Sequence, residues 1–410
     1  MAAQASAAET DWQQRALAAE AEVERLRKRN RELEDELDLL AVANADLRSM
    51  AAPAAPAPAP AGPSIESFAA LRVHGACRAL RTTPDNTFDA TGFEGAANAT
   101  CVALFIEDRG GRSYHSIICG GADGVLYRYP PGYGPPTLFP CGSPPLRLAI
   151  APAGGDILAC GCMDGTVRLL TPQLGLWVTF RDHKARCVAL AWGGDFLATC
   201  ARDKTVVVYH VRDERVLDAI GLKDGEIFPE KRHTIVLPSN PESLCFAPGG
   251  EELIVYCRGE PFRRHINIET LAETRVSLNE KEWDTHCSFC VLDMAVSPDG
   301  KYLACATDAN KHVIYELHGN EHVRVLVGHS ADEYANARIA WLSDASVVSN
   351  SQKDPGLYQW DIGSGKILTH IERAHTKAVR DLAIADDGAE RRLATCSFDK
   401  KAKQWGLLPS

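Results

Sequence analysis

Residues 395–405 read TCSFDKKAKQW, a segment in which Asp399 stands at a predicted turn between strands and Trp405 follows six residues later. The same offset from an Asp to an aromatic residue recurs in three earlier pairs: Asp123/Tyr129, Asp203/Tyr209 and Asp354/Trp360. Where such aspartates mark successive repeats, with Asp164 and Asp308 included, they lie 41, 39, 46 and 45 residues apart. Strand-like sequence with a period near 40 is typical of a β-propeller, in which each repeat forms one four-stranded blade.

Composition narrows the class of protein. Of the 410 residues, 45% are hydrophobic and 24% are charged, as in a soluble globular protein. The net charge of −10 argues against nucleic acid as a partner, because phosphate binding needs a basic surface. No apolar run is long enough to span a membrane, and the segment from Met1 to Trp12 lacks the apolar core of a signal peptide. We therefore expect a cytoplasmic protein, with the nucleus as the alternative compartment.

A heptad pattern occupies the first 50 residues. Leucine recurs at every seventh position, and a mixed set of apolar residues and asparagine lies three residues earlier in each heptad. These two rows predict a coiled-coil seam: Val23, Leu26, Asn30, Leu33, Leu37, Leu40, Asn44 and Leu47. In a parallel dimer Glu22 would face Arg27 of the second chain, so the charges favour a parallel homodimer. The alternative is a single amphipathic helix that packs on the propeller.

The remaining chain divides into a spacer and the propeller. Residues 51–64 read AAPAAPAPAPAGPS, which predicts an extended polyproline II linker. Residues 65–410 are predicted to form seven blades, which begin at Thr100, Pro145, Arg186, Glu242, Cys287, Tyr334 and Ala378. Five residues follow Trp405, too few for a last strand, so Phe68–Val73 is predicted to complete blade 7 and close the ring. Blade 3 is predicted to end at Ile220, and the segment Lys223–Asn240 to be an insertion.

The 14 cysteines are interpreted as buried, reduced side chains. Many fall at matching places on predicted inner strands, where a free cysteine acts as a small apolar residue. Cys160 and Cys162 form a close pair, but the sequence offers no second pair to complete a metal site. We expect neither a metal nor a cofactor.

Several segments resemble the WD-repeat β-propeller family. Gly328-His329 matches the family's Gly-His element, and Trp360-Asp361 matches its Trp-Asp element. Blade 7 has His375, Thr395, Asp399 and Trp405 at the family spacing, and blade 3 has His183, Thr199, Asp203 and Tyr209, with Tyr in place of Trp. Blade 4 departs from the pattern, since residues 258–261 read RGEP where the turn Asp is expected.

The resemblance implies a structural role for these two residue sets. In the family, the turn Asp bonds the His, which bonds the hydroxyl and through it the Trp. The alternative is a hydrolase in which Thr, His and Asp act together. The set occurs in two blades here, which a single active site would not require, so a structural relay is the favoured interpretation.

The resemblance also implies a partner-binding face. Ligands of the family lie over the mouth of the central channel, at the residue before each turn Asp and at the start of each innermost strand. Carried over to this chain, those positions include Met163, Arg186, Arg202, Lys353, Arg380 and Phe398. Such a mixture would suit an acidic peptide with an apolar anchor. The alternative is that these are ordinary solvated surface side chains.

The sequence therefore predicts a non-catalytic scaffold that self-associates through its coiled coil and binds protein or peptide partners on the propeller. Two alternatives stay open within the same fold: a substrate receptor or adaptor in a ubiquitin-ligase or autophagy assembly, and a subunit similar to G-protein β. A third, a propeller enzyme, would require converging carboxylates or a metal at the channel, and the sequence shows no such grouping.

Overall fold

Short apolar segments that alternate with turns form 28 β-strands in the part of the chain that the structure describes. The structure is a computed structural model and describes residues 79–407 except 82, 85, 90–96, 109–112, 132–133, 153–156, 214–226, 282–285, 332–335, 352 and 387–390. The strands pair into seven antiparallel sheets of four strands each. The predicted all-β fold with seven propeller blades is confirmed.

The predicted coiled coil (1–50), its seam residues and the Ala/Pro-rich linker (51–64) lie outside the described residues and stay predictions. Within the described residues, no helix has the length and apolar character that a membrane crossing requires.

The first described strand, β1 (Asn86–Asp89), belongs to the last blade. The next four blades each use four consecutive strands, ordered from the channel outwards. Blade 1 contains β2 (Ala99–Asp108), β3 (Ser113–Gly121), β4 (Val125–Tyr129) and β5 (Thr137–Pro140). Blade 2 contains β6 (Pro145–Ile150), β7 (Leu158–Cys162), β8 (Val167–Leu170) and β9 (Leu176–Phe180). Blade 3 contains β10 (Cys187–Gly193), β11 (Phe196–Ala201), β12 (Thr205–Asp213) and β13 (Ile227–Val236). Blade 4 contains β14 (Pro241–Phe246), β15 (Glu252–Cys257), β16 (Phe262–Asn267) and β17 (Glu273–Ser277).

The last three blades repeat this order, and blade 7 takes its outermost strand from the start of the described chain. Blade 5 contains β18 (Val291–Val296), β19 (Tyr302–Thr307), β20 (Lys311–Glu316) and β21 (His322–Val327). Blade 6 contains β22 (Ile339–Ser343), β23 (Ser346–Asn350), β24 (Leu357–Asp361) and β25 (Ile367–Ile371). Blade 7 contains β26 (Val379–Asp386), β27 (Arg391–Ser397), β28 (Lys401–Trp405) and β1.

Ring closure uses a different segment from the predicted one. β1 pairs with β28 from Asn86 opposite Gln404 to Asp89 opposite Lys401, so Phe68–Val73 is not the partner of β28. By composition, Phe68–Val73 is more apolar than Asn86–Asp89, which reads NTFD. Outermost strands do not need that character, because one side faces solvent: β17, for example, is exposed over most of its length. The prediction that an upstream strand closes the ring is confirmed, but the choice of Phe68–Val73 as that strand was wrong.

Blade 3 also extends beyond its predicted end. Its outermost strand, β13, pairs with β12 from Val236 opposite Thr205 to Ile227 opposite Asp213. The segment Lys223–Asn240 is therefore mostly strand and not an insertion. Its centre reads PEKR at residues 229–232, a polar composition that is typical of an edge strand and hides the strand pattern.

The core lies between the blades. Among the described residues, the buried apolar side chains form seven clusters, one at each junction between neighbouring blades. Because each blade is covered on both faces, its second strand is almost fully buried, as in β7 and β23. The six cysteines predicted as apolar residues on such strands are buried and free: Cys119, Cys160, Cys200, Cys257, Cys305 and Cys396.

The turn between the second and third strands of a blade explains the recurring Asp. In blade 3 the Oδ1 of Asp203 accepts hydrogen bonds from the backbone and hydroxyl of Thr205, two residues on. The residue after the Asp has a positive φ, 63° at Lys204 and 70° at Lys400. The residue before it, Arg202, donates its backbone N–H to the carbonyl of Arg186 at 3.1 Å. This turn therefore fixes the position where the innermost strand begins. The face of the ring at which these turns lie is called the top face.

Candidate partner-binding site at the channel mouth

In six of the seven blades, a β-bulge at the start of the innermost strand directs one side chain into the channel. In six blades the register skips a single residue there: Thr100, Leu146, Val188, Glu242, Leu292 and Arg380. All six line one cavity of about 310 Å³ at the centre of the ring. A bulge bends its strand and redirects the extra residue. The bulges therefore build the channel mouth from residues of different blades.

The mouth is strongly basic. Among the described residues, six arginines line the cavity: Arg147, Arg186, Arg202, Arg258, Arg338 and Arg380. Glu242 is the one carboxylate in that lining. A deeper cavity of about 320 Å³ adds Asp293 and Asp381. The channel therefore carries a local positive excess in a chain whose net charge is −10.

Glu242 organises one side of the mouth. Its carboxylate forms two bonds with Arg202, from Nη1 at 2.7 Å and Nη2 at 2.8 Å, and a further ion pair with Arg258. Such bidentate pairing fixes the plane of the Arg202 guanidinium. Arg258 stands in the blade 4 turn where the family pattern expects a different sequence. The departure in blade 4 thus supplies a charged residue to the mouth.

Two aspartates, the half-buried Asp293 and the buried Asp381, join neighbouring blades below the mouth. Asp381 of blade 7 accepts a bond from the backbone N–H of Val102 at 3.1 Å, and Asp293 of blade 5 accepts one from Ile339 at 3.2 Å. Arg338 lies 3.3 Å from Asp381 and 3.4 Å from Asp293. Burial raises the pKa of Asp293 to about 7 and that of Asp381 to about 6. These carboxylates are therefore held inside the protein at an electrostatic cost that Arg338 and Arg147 partly offset.

The structure brings some of the predicted partner-binding residues together and not others. Arg186, Arg202 and Arg380 line the cavity. Phe398 lies beneath Arg380, with its ring centroid 4.6 Å from the guanidinium carbon. Met163, whose side chain is 51% exposed, and the exposed Lys353 are not among the lining residues.

The relay residues of blade 7 form one hydrogen-bonded chain. His375 Nδ1 donates to Asp399 at 3.0 Å, and its Nε2 accepts from the hydroxyl of Thr395 at 2.8 Å. Trp405 Nε1 donates to that hydroxyl at 2.9 Å. Thr395 is fully buried and so is the His375 side chain. A substrate therefore has no path to this hydroxyl without opening of the blade.

Blade 3 uses a variant of the relay. His183 Nε2 contacts the Thr199 hydroxyl at 2.8 Å, but its Nδ1 contacts the Thr205 hydroxyl at 2.9 Å, which in turn donates to Asp203 at 2.6 Å. Tyr209 pairs with Leu197 as Trp405 pairs with Leu393 in blade 7, but its hydroxyl donates to Asp182 at 2.8 Å.

In blade 6 a histidine of blade 5 contacts the serine of the relay position. His312 Nε2 donates to the hydroxyl of Ser349 at 2.9 Å, and Trp360 Nε1 donates to the carbonyl of Val327 at 3.2 Å. His329, the histidine of the Gly-His element, stacks on His312 with the ring centroids 3.8 Å apart. The relay is therefore divided between two blades here.

Sequence reasoning missed the residues Glu242, Arg258, Arg147 and Arg338 at the mouth. The side-chain direction of Glu242 depends on the bulge at the start of β14, and Arg338 lies just before β22 begins, so a period-two pattern does not place either side chain. One signal was available: Arg258 occupies the blade 4 position that precedes the turn, which is the same position as Arg202 in blade 3.

Three segments of the chain match the repeats of a known family, and each reaches from the end of one blade through the inner strands of the next. The family described as "WD domain, G-beta repeat" matches residues 176–210, 279–314 and 365–406. This chain carries WD repeats on a seven-bladed β-propeller. WD-repeat propellers are in general non-catalytic scaffolds for protein interactions.

Curated relatives of this WD-repeat protein are distant. "WD repeat-containing protein 1" of Bos taurus is 26% identical over 260 residues, which cover 62% of this chain and 38% of the relative. "Transducin beta-like protein 2" of Homo sapiens is 22% identical over 53% of this chain and 47% of that protein. "Poly(A)+ RNA export protein" of Schizosaccharomyces pombe is 30% identical over 29% of this chain and 34% of that protein. This chain thus matches less than half the length of each of these relatives.

A solved structure supports the fold alone. A chain in "Crystal Structure of Mitotic Checkpoint Complex" superposes with a TM-score of 0.60 at 16% sequence identity, and the match covers 82% of this chain and 95% of that chain.

Proposed function

We propose that this WD-repeat protein is a non-catalytic scaffold whose channel mouth binds an acidic segment of a partner protein. The observation that carries the proposal is the basic lining of the mouth, with six arginines against the single carboxylate of Glu242 among the described residues. Arginine and aromatic side chains supply much of the energy of protein interfaces. Arg380, supported by the Phe398 ring, would be the central contact.

The state of the arginines favours an anionic group over an apolar one. Burial lowers the pKa of Arg380, which shows that its charge is poorly solvated. Arg186 is exposed and, unlike Arg202, forms no ion pair with a described carboxylate. A carboxylate of a peptide would therefore add charge-assisted hydrogen bonds at Arg186 and Arg380 and leave the pair of Arg202 with Glu242 intact.

Charge reversal tests the mouth directly. We expect Arg186→Glu and Arg380→Glu each to weaken binding of an acidic peptide by at least about tenfold, or ~1.4 kcal/mol. Binding is measured by fluorescence polarisation with labelled Asp/Glu-rich peptides at two salt concentrations. Lys366→Glu is the matched control, because Lys366 is an exposed cation at the turn between β24 and β25, on the opposite face. Equal affinities for the control and the mouth variants would place the peptide elsewhere and overturn the proposal.

The second part of the proposal is self-association. The heptads of residues 23–47, with Asn30 at a core position, support a parallel homodimer that displays two propellers on the residue 51–64 spacer. Two linked sites raise avidity through effective concentration. The proposal assigns the scaffold to the cytoplasm, with the nucleus as the alternative compartment.

Mass measurement tests the dimer. Light scattering after gel filtration is expected to give twice the chain mass of 44.5 kDa for the full chain and a monomer for a chain that lacks residues 1–64. Asn30→Leu is expected to change the oligomeric state or register of the full chain, since a core asparagine specifies both. A full-length monomer at concentrations of about 50 μM would contradict self-association, while the peptide-binding result would stand by itself.

A further inference from the structure

Three buried cysteines meet at the junction of blades 1 and 2. Cys141 lies in the loop before β6, whereas Cys160 and Cys162 lie on β7. Their three sulfur atoms all lie within 4.8 Å of one another, and the sulfurs of Cys160 and Cys162 are 3.9 Å apart. The side chains are buried, with exposed fractions of 3% for Cys141 and 0% for the other two. In the sequence, Cys160 and Cys162 stand as a close pair without further metal ligands. The fold adds the thiol of Cys141 to this pair.

Two of these cysteines occupy the relay positions of blade 2. Cys141 lies four residues before β6, as His375 lies four residues before β26. Cys160 pairs with Arg168 across β7 and β8, as Thr395 pairs with Lys403 across β27 and β28. Thiols are weak hydrogen-bond donors and acceptors, so cysteines at these positions do not reproduce the polar chain of blade 7. The blade 2 site therefore has a different chemistry.

Arg168 completes the site with a positive charge. Its Nη1 lies 3.0 Å from Cys162 Sγ and 2.6 Å from the Thr166 hydroxyl, and its Nη2 donates to the Cys141 carbonyl at 2.7 Å. The arginine is 8% exposed, and no carboxylate of the described residues forms an ion pair with it. A buried cation needs a negative partner, and a thiolate at Cys162 would supply one.

We propose that Cys141, Cys160 and Cys162 bind a soft monovalent metal ion, Cu(I), through three thiolates. Soft thiolate ligands select Cu(I) among the biological metals, with zinc as the usual competitor. Metal–sulfur bonds of roughly 2.3 Å in a trigonal plane place the sulfurs about 4 Å apart, close to the spacing seen here. Structural zinc takes four ligands, and within the described residues no fourth His, Cys, Asp or Glu joins this group.

Charge and access agree with this assignment. Three thiolates and one Cu(I) ion carry two negative charges, and the Arg168 guanidinium beside Cys162 offsets one of them. Cys162 is followed directly by Met163, whose side chain is 51% exposed. A thioether is a soft ligand. Met163 thus offers a first contact for the ion at the surface next to the buried thiols.

A second group of possible metal ligands is already engaged in hydrogen bonds. Glu252, His265 and His318 also place their ligand atoms close together. However, Arg263 Nε donates to His265 Nε2 at 3.1 Å, so the proton of His265 resides on Nδ1 and is donated to Glu252 at 2.8 Å. A metal ion at Nδ1 of His265 would move the proton to Nε2, so the hydrogen bonds to Glu252 and from Arg263 would both break. The cysteine group requires no such rearrangement.

Competition under anaerobic, reducing conditions tests the site. We expect the full chain to retain one equivalent of Cu(I) against the chelator bathocuproine disulfonate, with at least a hundredfold loss of affinity in Cys162→Ser. Cys305→Ser is the matched control, since Cys305 is equally buried on a second strand but belongs to no such group. X-ray absorption is expected to show three sulfur neighbours at roughly 2.3 Å.

A second variant separates loss of binding from loss of folding. Cys141→His combined with Cys160→Thr introduces the relay residue types of blade 7, and we expect it to fold while losing the ion. Retention of Cu(I) by this variant or by Cys162→Ser, an unchanged affinity relative to Cys305→Ser, or a preference for Zn(II) in the same competition would each overturn the proposal.

Discussion

A chain that lacks residues 1–90 is expected to melt about 12 °C below one that lacks only residues 1–78. The longer deletion removes β1, whose four residues pair with β28, and Leu80, which is 1% exposed and bridges to Leu407. Four strand hydrogen bonds at about 1 kcal/mol each, with about 2 kcal/mol for burial of Leu80, give a loss of about 6 kcal/mol. For a large domain, each kcal/mol lowers the midpoint by roughly 2 °C.

The shorter deletion is the matched control, because it leaves the closing strand and Leu80 in place. Thermal unfolding followed by circular dichroism measures both proteins. A synthetic peptide of residues 79–98 is expected to raise the midpoint of the longer deletion, since strand addition to an open edge restores the same pairing. Equal midpoints for the two deletions would show that β1 does not close the ring.

The sequence predicted the strands that are buried on both faces. Second strands such as β15 and β19 contain continuous apolar runs, and the Asp-to-aromatic offset marks the turn after the second strand in four blades, as at Asp399 and Trp405. Both signals arise from packing that every blade must satisfy. The number of blades therefore follows from the chain alone.

The outermost strands could not be located in the same way. β1 and β13 belong to this class, and the related strand β17 is mostly exposed. Their sequences meet no apolar requirement, so a polar segment such as residues 229–232 reads as a loop. Their positions depend on pairing with a neighbouring strand, which is a property of the closed ring.

The channel mouth was predictable in part. Arg186, Arg202 and Arg380 follow from repeat positions, because turn and strand entry recur in each blade. The ion pair of Arg202 with Glu242 joins blades 3 and 4, and it depends on a bulge that redirects Glu242. A contact between two blades depends on the register of one strand in each of them. The repeat period in the sequence does not specify these registers.

The histidine relay gives the second large expected effect. His375→Ala should lower stability by about 3 kcal/mol, because it removes the 3.0 Å bond to Asp399, breaks the bond to Thr395 and opens a buried cavity. His183→Ala should cost less, about 1–2 kcal/mol. Asp203 keeps its bonds from Thr205 and from the backbone of Lys184 in that variant.

The pH dependence distinguishes the relay from a simple cavity. Burial alone raises the pKa of Asp399, but hydrogen bonds from His375 and from the backbone of Thr376 outweigh it and hold the pKa well below its usual range. A carboxylate with a depressed pKa stabilises the folded state above its ordinary pKa, and that contribution is lost as the pH falls. Burial also lowers the pKa of His375, so keeping this imidazole neutral in the folded state costs stability at acid pH. The difference in melting temperature between wild type and His375→Ala should therefore be largest near pH 7 and shrink as the pH falls, with the contribution of Asp399 lost below about pH 4.

Melting curves at pH 7, 5 and 3 measure this difference, with His318→Ala as the control because that side chain is 65% exposed and its ion pair with Glu252 lies at 3.7 Å. Exposed pairs of this kind contribute within about 0.5 kcal/mol. His375→Ala with the melting temperature of wild type at pH 7 would mean that the Asp399–His375–Thr395–Trp405 chain adds nothing to blade 7. A cost that is the same at all three pH values would instead assign the effect to lost packing, since Asp399 and His375 both link the hydrogen-bonded chain to protons.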